Sequence, residues 1–201
     1  MSSPRLILAS QSPRRSQLLA MLGLTFDTVP ADIDETYRPG EEAAPHAERL
    51  AREKTQAVAA QHADAAVIGS DTVVVIDGDV LGKPRDAADA VRMLMRLQGR
   101  EHVVATGIAL AYGGRVHSAA EQVRVRFRAF DEATAARYVQ TGEPMDKAGA
   151  YGIQGYGATL VERVDGDYFA VMGLPVCRTI LLLQGAGLDY DFDSLTAREQ
   201  E

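Results

Sequence analysis

Residues 65–76 read AAVIGSDTVVVI, the most strand-like stretch of the chain. An apolar run is interrupted at Gly69-Ser70-Asp71-Thr72 and resumes as VVVI, the pattern of a buried strand. A carboxylate inside such a strand is costly unless it is paired or holds a metal. Asp71 is therefore the residue that physical reasoning singles out first, with a satisfied structural aspartate as the plainer reading. Asp77-Gly78-Asp79 signals a hairpin turn. Leu81–Pro84 (LGKP) then returns along the same edge, which would let Lys83 approach Asp71. On the N-terminal side, Pro45 opens a helix to about His62, with Glu48, Arg49, Arg52, Glu53 and Lys54 on its polar faces. On the C-terminal side, Asp86 caps a helix to about Leu97 with Ala87, Val91, Leu94 and Met95 inward. Val103–Tyr112, Gly113-Gly114 and Arg115–Phe130 spell a long hairpin. There Val123, Val125 and Phe127 alternate with Arg124, Arg126 and Arg128. This basic face suits nucleic acid or, more simply, solvent and charge pairs. Asp131 caps a helix to about Gln140, Ala158–Val164 reads as a strand, and Asp165-Gly166-Asp167 turns. VMGLP (171–175) leads into a last helix, Val176–Gln184, and the acidic end DYDFDSLTAREQE reads as frayed.

The first elements describe an anion site. Arg5–Ala9 (RLILA) is a short buried strand. Ser12 is an N-cap and Pro13 suits the first helical position of a helix to about Leu22, stopped by Gly23. Arg14 and Arg15 sit in its first turn, the wrong end for cations because the macrodipole is positive there. A bound anion would offset that cost, and so would pairing with acidic neighbours. Thr25–Val29 reads as a second strand, followed by the loop ADIDETYRPG (31–40) with Asp32, Asp34 and Glu35. Three carboxylates this close repel unless a cation joins them. A hard metal takes one or two carboxylates plus substrate phosphates; a solvated acidic loop is the commoner explanation.

Thr141–Gly155, TGEPMDKAGAYGIQG, has neither helical nor strand period. Ala148, Ala150, Tyr151 and Ile153 anchor it as an ordered loop, and its four glycines permit close backbone approach. It either holds a small polar ligand, with Gln154 as an amide donor and acceptor, or is a packed connection. Its Lys147 is one of only three lysines, with Lys54 and Lys83, among 21 basic residues. A compact ammonium suits phosphate or carboxylate as a point charge.

Composition narrows the function. A chain of 201 residues, 46% hydrophobic, makes one domain or one domain with two lobes. A net charge of −7 argues against a duplex-DNA binder. One cysteine, Cys177, permits no internal disulfide and fits a reducing cytoplasm. LILA is too short for the apolar region of a signal peptide, and no apolar run reaches membrane-spanning length. GxxxxGK[ST], GxGxxG after a strand, HExxH and GxSxG are all missing, and the four histidines are scattered.

Seven motifs in order, SQSPRR (10–15), DIDET (32–36), AREK (51–54), GSDTVV (69–74), LGKP (81–84), EPMDKAGAYGIQG (143–155) and MGLP (172–175), resemble the Maf family. The resemblance covers roughly residues 5–183. It implies an α/β fold: a mixed β-sheet with flanking helices and two lobes around a cleft, similar to inosine triphosphate pyrophosphatases. The domain would span 1–185, leaving 186–201 as an acidic C-terminal tail. It implies a nucleoside triphosphate pyrophosphatase that cleaves between the α and β phosphates. By position, Asp71 resembles the catalytic carboxylate, and Glu35 with Asp71 the holders of Mg²⁺ or Mn²⁺. Ser10, Arg14, Arg15, Lys54 and Lys83 resemble the phosphate-binding set. Arg14, Thr72 and Gln154 match positions tied to base choice. The AGAYGIQG form of the loop is similar to the branch that prefers dTTP and UTP, enzymes of nucleotide housecleaning. The expected partner is a nucleoside triphosphate, with no nucleic acid and no membrane, in the cytoplasm; the resemblance leaves a homodimer open. Ala170 stands where some members carry Asn, which puts any role of that side chain in doubt. The alternative function is a non-catalytic nucleotide-binding regulator of septum formation and cell division.

Overall fold

The computed structural model describes residues 4–38 and 40–198. In chain order the elements are β1 (Leu6–Leu8), α1 (Pro13–Met21), β2 (Asp27–Thr28), α2 (Ala43–Ala59), β3 (Ala66–Ile76), β4 (Asp79–Leu81), α3 (Ala87–Leu97), β5 (Glu101–Tyr112) and β6 (Arg115–Phe127). They continue with α4 (Glu132–Gln140), β7 (Val161–Asp165), α5 (Tyr168–Met172), α6 (Val176–Gly185), β8 (Leu188–Tyr190) and β9 (Leu195–Ala197). The main sheet has the strand order β2-β1-β3-β5-β6-β7, with β4 on β3. It is mixed: β1 runs parallel to β2 and β3, whereas β4 on β3 and β7 on β6 are antiparallel. This is the α/β architecture implied by the sequence. The chain divides into two compact units, one of residues 1–71, 106–121 and 173–201, the other of 72–105 and 122–172.

In the first unit, helix α2 lies directly on the sheet. A Cβ on Gly69 of β3 would sit 2.3 Å from Thr55 Oγ1 and 2.8 Å from the Ala51 carbonyl oxygen. One on Gly107 of β5 would sit 2.2 Å from the Ala47 carbonyl. Ala47, Ala51 and Thr55 recur every four residues along one helical face, so two glycines and a stripe of small residues let backbone meet backbone. Ile7, Ala9, Val58, Val67 and Ala111 close the adjoining core. The C-terminal segment corrects the frayed reading. Strands β8 and β9 pair antiparallel, Leu188 and Leu195 are buried, and Tyr190 Oη donates to the Leu22 carbonyl at 2.8 Å. Residues 199–201 of that acidic end lie outside the described residues.

In the second unit, Val74, Leu94, Leu97, Val125, Phe127, Tyr151 and Leu160 share one core. The turn after β3 has both Asp77 (φ 56°) and Gly78 (φ 81°) left-handed, as a two-residue hairpin requires. Val123, Val125 and Phe127 are buried, and their alternating arginines are paired: Arg124 with Asp165, Arg126 with Glu162, and Arg128 with the Thr159 carbonyl. β3 runs unbroken through Gly69–Thr72, the buried strand that the sequence reads there. Two local expectations are corrected. Ala87 is exposed, because α3 turns Ala90, Leu94 and Leu97 inward instead. The strand expected from Ala158 begins at Val161, because Gly155–Thr159 winds into a 3₁₀ turn. Among the described residues no helix is long and apolar enough to cross a membrane.

Candidate active site

The start of α1 is built as the sequence suggests. Ser12 caps it, accepting from the Arg15 backbone N–H at 3.5 Å, and Pro13 opens it. Ser10 Oγ accepts from the Ser12 N–H at 3.1 Å and from Arg15 Nη1 at 3.2 Å. Arg15 Nε donates to the Gly173 carbonyl at 2.9 Å, which fastens the MGLP turn to the helix start. Burial pulls the Arg15 pKa below its ordinary value, and Asp71 and Glu35 work against that. Two carboxylates of the same unit thus offset part of the cost of the misplaced cation. Arg14 sits half-buried in the same turn.

Those carboxylates meet at one ammonium. Lys54 Nζ lies 2.7 Å from Asp71 Oδ1 and 2.7 Å from Glu35 Oε1. The Lys54 and Asp71 side chains are 9% and 11% exposed, whereas Glu35 is 58% exposed. A charge this buried must be paired, and the seating of α2 on Gly69 brings Lys54 to Asp71. Beside it Ser70 Oγ, fully buried, lies 2.7 Å from the Gly107 carbonyl and 2.8 Å from that of Gly173. Its single proton serves one of these at a time.

The Glu35 loop is tied to the same helix. Asp34 accepts from Thr36 N–H and Oγ1 at 2.9 and 2.5 Å. Arg49 of α2 donates to the Thr36 carbonyl at 3.3 Å and grips Glu41 through Nε and Nη2 at 2.7 and 2.8 Å. Tyr37 stacks on buried His46 with ring centroids 3.7 Å apart. Hydrogen bonding from Arg49, helped by His46, holds the Glu41 pKa down at about 2 against its desolvation. Asp32 is exposed. Among the described residues no group of three or more His, Cys, Asp or Glu gathers as a metal cage. Glu35 and Asp71 nonetheless make the pair of hard oxygen donors that Mg²⁺ takes beside substrate phosphates, so the donor set fits such an ion.

Thr72, Lys83 and Gln154 belong to the second unit. Thr72 follows Asp71 within β3, and Lys83 is exposed just beyond β4. The loop carrying Gln154 is made of 3₁₀ turns Glu143–Asp146, Ala148–Ala150 and Gly155–Thr159. Left-handed residues joint them: Gly142, Gly149, Ala150 and Gly155 have φ of 77°, 70°, 58° and 65°. The Gly149 N–H reaches the Gly82 carbonyl at 3.1 Å. Lys147 is spent inside the loop, on the Glu143 carbonyl and on Asp146 at 2.6 Å. Gln154 itself is exposed, beside buried Gly152 and Ile153.

Of the residues that the sequence nominates, the fold places Ser10, Arg14, Arg15, Glu35, Lys54 and Asp71 in one unit. Sequence reasoning missed the supports: Gly69 and Gly107 beneath α2, Ser70 between two carbonyls, Arg49 and His46 behind the Glu35 loop, and Tyr138 with Glu143 in the other unit. The one available signal was polar residues such as His46 and Tyr138 on buried helical faces.

A family model described as Maf-like protein matches residues 5–186. The chain is 49% identical over 187 residues to the dTTP/UTP pyrophosphatase of Hahella chejuensis, spanning 92% of this chain and 93% of that one. It is 50% identical over 183 residues to the protein of the same name from Myxococcus xanthus, spanning 91% and 93%. With that of Aquifex aeolicus it shares 44% over 184 residues, spanning 92% and 96%.

Proposed function

The chain belongs to the Maf family, and from that premise we propose that it hydrolyses dTTP and UTP to the nucleoside monophosphate and pyrophosphate. The observation that carries this reading is the seat of Asp71: a buried carboxylate in mid-strand, gripped by a buried lysine that also takes Glu35. Nothing in packing alone calls for such an arrangement, because two apolar side chains would fill the space more cheaply. The relatives named dTTP/UTP pyrophosphatase support the substrate choice.

The chemistry is positioning and charge neutralisation. A water oxygen bonds to the α-phosphorus, the bridging P–O bond breaks, and its electron pair leaves on pyrophosphate. Asp71 orients that water and takes its proton, with Lys54 on Oδ1 holding the carboxylate in place. Arg15, Arg14, Ser10 and the start of α1 bind phosphate oxygens. Glu35 and Asp71 would hold a divalent cation, Mg²⁺ or Mn²⁺, whose charge neutralises the phosphates. By their motif positions, Lys83 would add a point charge for phosphate, and Arg14, Thr72 and Gln154 would read the base.

The test measures pyrophosphate against orthophosphate from dTTP, UTP, CTP and 7-methyl-GTP with Mg²⁺, beside Asp71→Asn. The reading expects pyrophosphate from dTTP and UTP, and turnover at least ~100-fold lower in the variant, the scale of a general base. Turnover of 7-methyl-GTP in their place would overturn the substrate assignment. Near-normal turnover by Asp71→Asn would remove Asp71 from the mechanism. Nucleotide binding without turnover would favour a regulator.

A further inference from the structure

Glu143, near the start of the Gln154 loop, is a carboxylate on which three donors converge. Its Oε1 accepts from Tyr138 Oη at 2.8 Å and from the Gly157 N–H at 2.9 Å, and its Oε2 accepts from the Tyr156 N–H at 2.9 Å. Tyr138 Oη in turn accepts from the Gly152 N–H at 3.1 Å. Gln154 therefore lies between two tethered points, Gly152 through Tyr138 and Tyr156-Gly157 directly. The backbone is shaped to admit this carboxylate. Gly155 has φ 65°, and a Cβ there would sit 2.4 Å from Glu143 Oε2. A Cβ on Gly157 would sit 2.1 Å from the Gly152 carbonyl oxygen. Burial raises the Glu143 pKa, but the Gly157 N–H, the Tyr138 hydroxyl, the Tyr156 N–H and Lys147 outweigh it and leave the group below its ordinary value.

We propose that ionised Glu143, with Tyr138, is the positioning residue for base choice: it fixes the backbone that aims Gln154 at the pyrimidine. The inference rests on the assignment of Gln154 as the base-reading residue. A packed connection would be served by any side chain of this size. Three N–H or O–H donors converging on two oxygens are served only by a carboxylate. Glutamine has the same shape but offers one oxygen and an NH₂ group. In either orientation at least one of the three donors then faces another donor, and the Tyr156–Gly157 tether or the Tyr138 tether opens.

The experiment compares kcat/KM for dTTP and dCTP in the wild type, Glu143→Gln, Gln154→Ala and the double variant, with a thermal melt of each. The expected result is a dTTP:dCTP ratio lowered about tenfold by Glu143→Gln, the size of coupling between groups in one hydrogen-bond network. The double variant should discriminate no worse than Gln154→Ala alone. A melt shift with both substrates slowed equally and the ratio intact would make Glu143 merely structural and overturn the proposal. Additive losses in the double variant would do the same. An unchanged ratio in Gln154→Ala alone would instead fault the assignment of Gln154, and the proposal with it. Should Glu143→Gln not fold, Tyr138→Phe decides by the same ratio, since it removes one donor and one acceptor from the same tether.

Discussion

Replacing Gly69 with alanine asks whether the seating of α2 sets the Lys54–Asp71 pair. The new methyl would lie 2.3 Å from Thr55 Oγ1 and 2.8 Å from the Ala51 carbonyl oxygen. Turning Thr55 away breaks its own 2.8 Å bond to that carbonyl and leaves the backbone contact unrelieved. Clearing the Ala51 oxygen to ordinary van der Waals contact lifts α2 by about 0.6 Å. Taken along the line from Lys54 to Asp71, that stretches the 2.7 Å contact to about 3.3 Å, outside the ~2.7–2.9 Å range of charge-assisted bonds. Overpacking of this kind costs about 1–3 kcal/mol. In a chain of 201 residues it lowers Tm by about 2–12 °C. Misplacing catalytic groups by ~1 Å costs on the order of 100-fold, so turnover of dTTP should fall roughly tenfold. Gly185→Ala is the control, with nothing within 4 Å of its added Cβ. There alanine should leave Tm unchanged or raise it, because it favours the helix. Circular dichroism melts and pyrophosphate release read both quantities. Wild-type Tm and turnover in Gly69→Ala would refute the tight seating, and a lowered Tm with full turnover would refute the link from helix height to Lys54.

Two further outcomes follow from other ionisable groups of the chain. Buried His102, with Nε2 2.8 Å from Tyr151 Oη, has its pKa lowered from 6.5 to about 4 by desolvation. The unfolded chain binds this proton first as pH falls, so the contribution is full above about pH 6.5, drains between 6.5 and 4, and levels off below. The loss amounts to about 3 kcal/mol, and urea melts from pH 7 to pH 4 should show it in the wild type but not in His102→Gln. Equal pH slopes in both proteins would contradict the burial argument. Glu41→Gln should break the two-point grip of Arg49, destabilise the chain by about 1.5–3 kcal/mol, and expose residues 32–41 to limited proteolysis. Unchanged cleavage there would show that the Glu35 loop is held by other contacts.

Local chemistry made much of this molecule legible. Ser12, Asp86 and Asp131 cap their helices through side chains, as their types and places predict, because capping needs only a few neighbouring residues. The buried strand around Asp71 was legible because an apolar run announces itself and a charge within it must be explained. The long loop was legible as ordered but not as 3₁₀ turns, since four left-handed joints leave no period to read. What only the tertiary structure decided is which charges meet. Glu35, Lys54 and Asp71 come from a loop, a helix and a strand, and no spacing in the chain pairs them. Their meeting depends on glycines in two strands that let one helix descend onto the sheet, and on Arg49 and His46 of that helix drawing the Glu35 loop to it. Those contacts hold across long stretches of chain, where sequence spacing no longer limits which side chains touch.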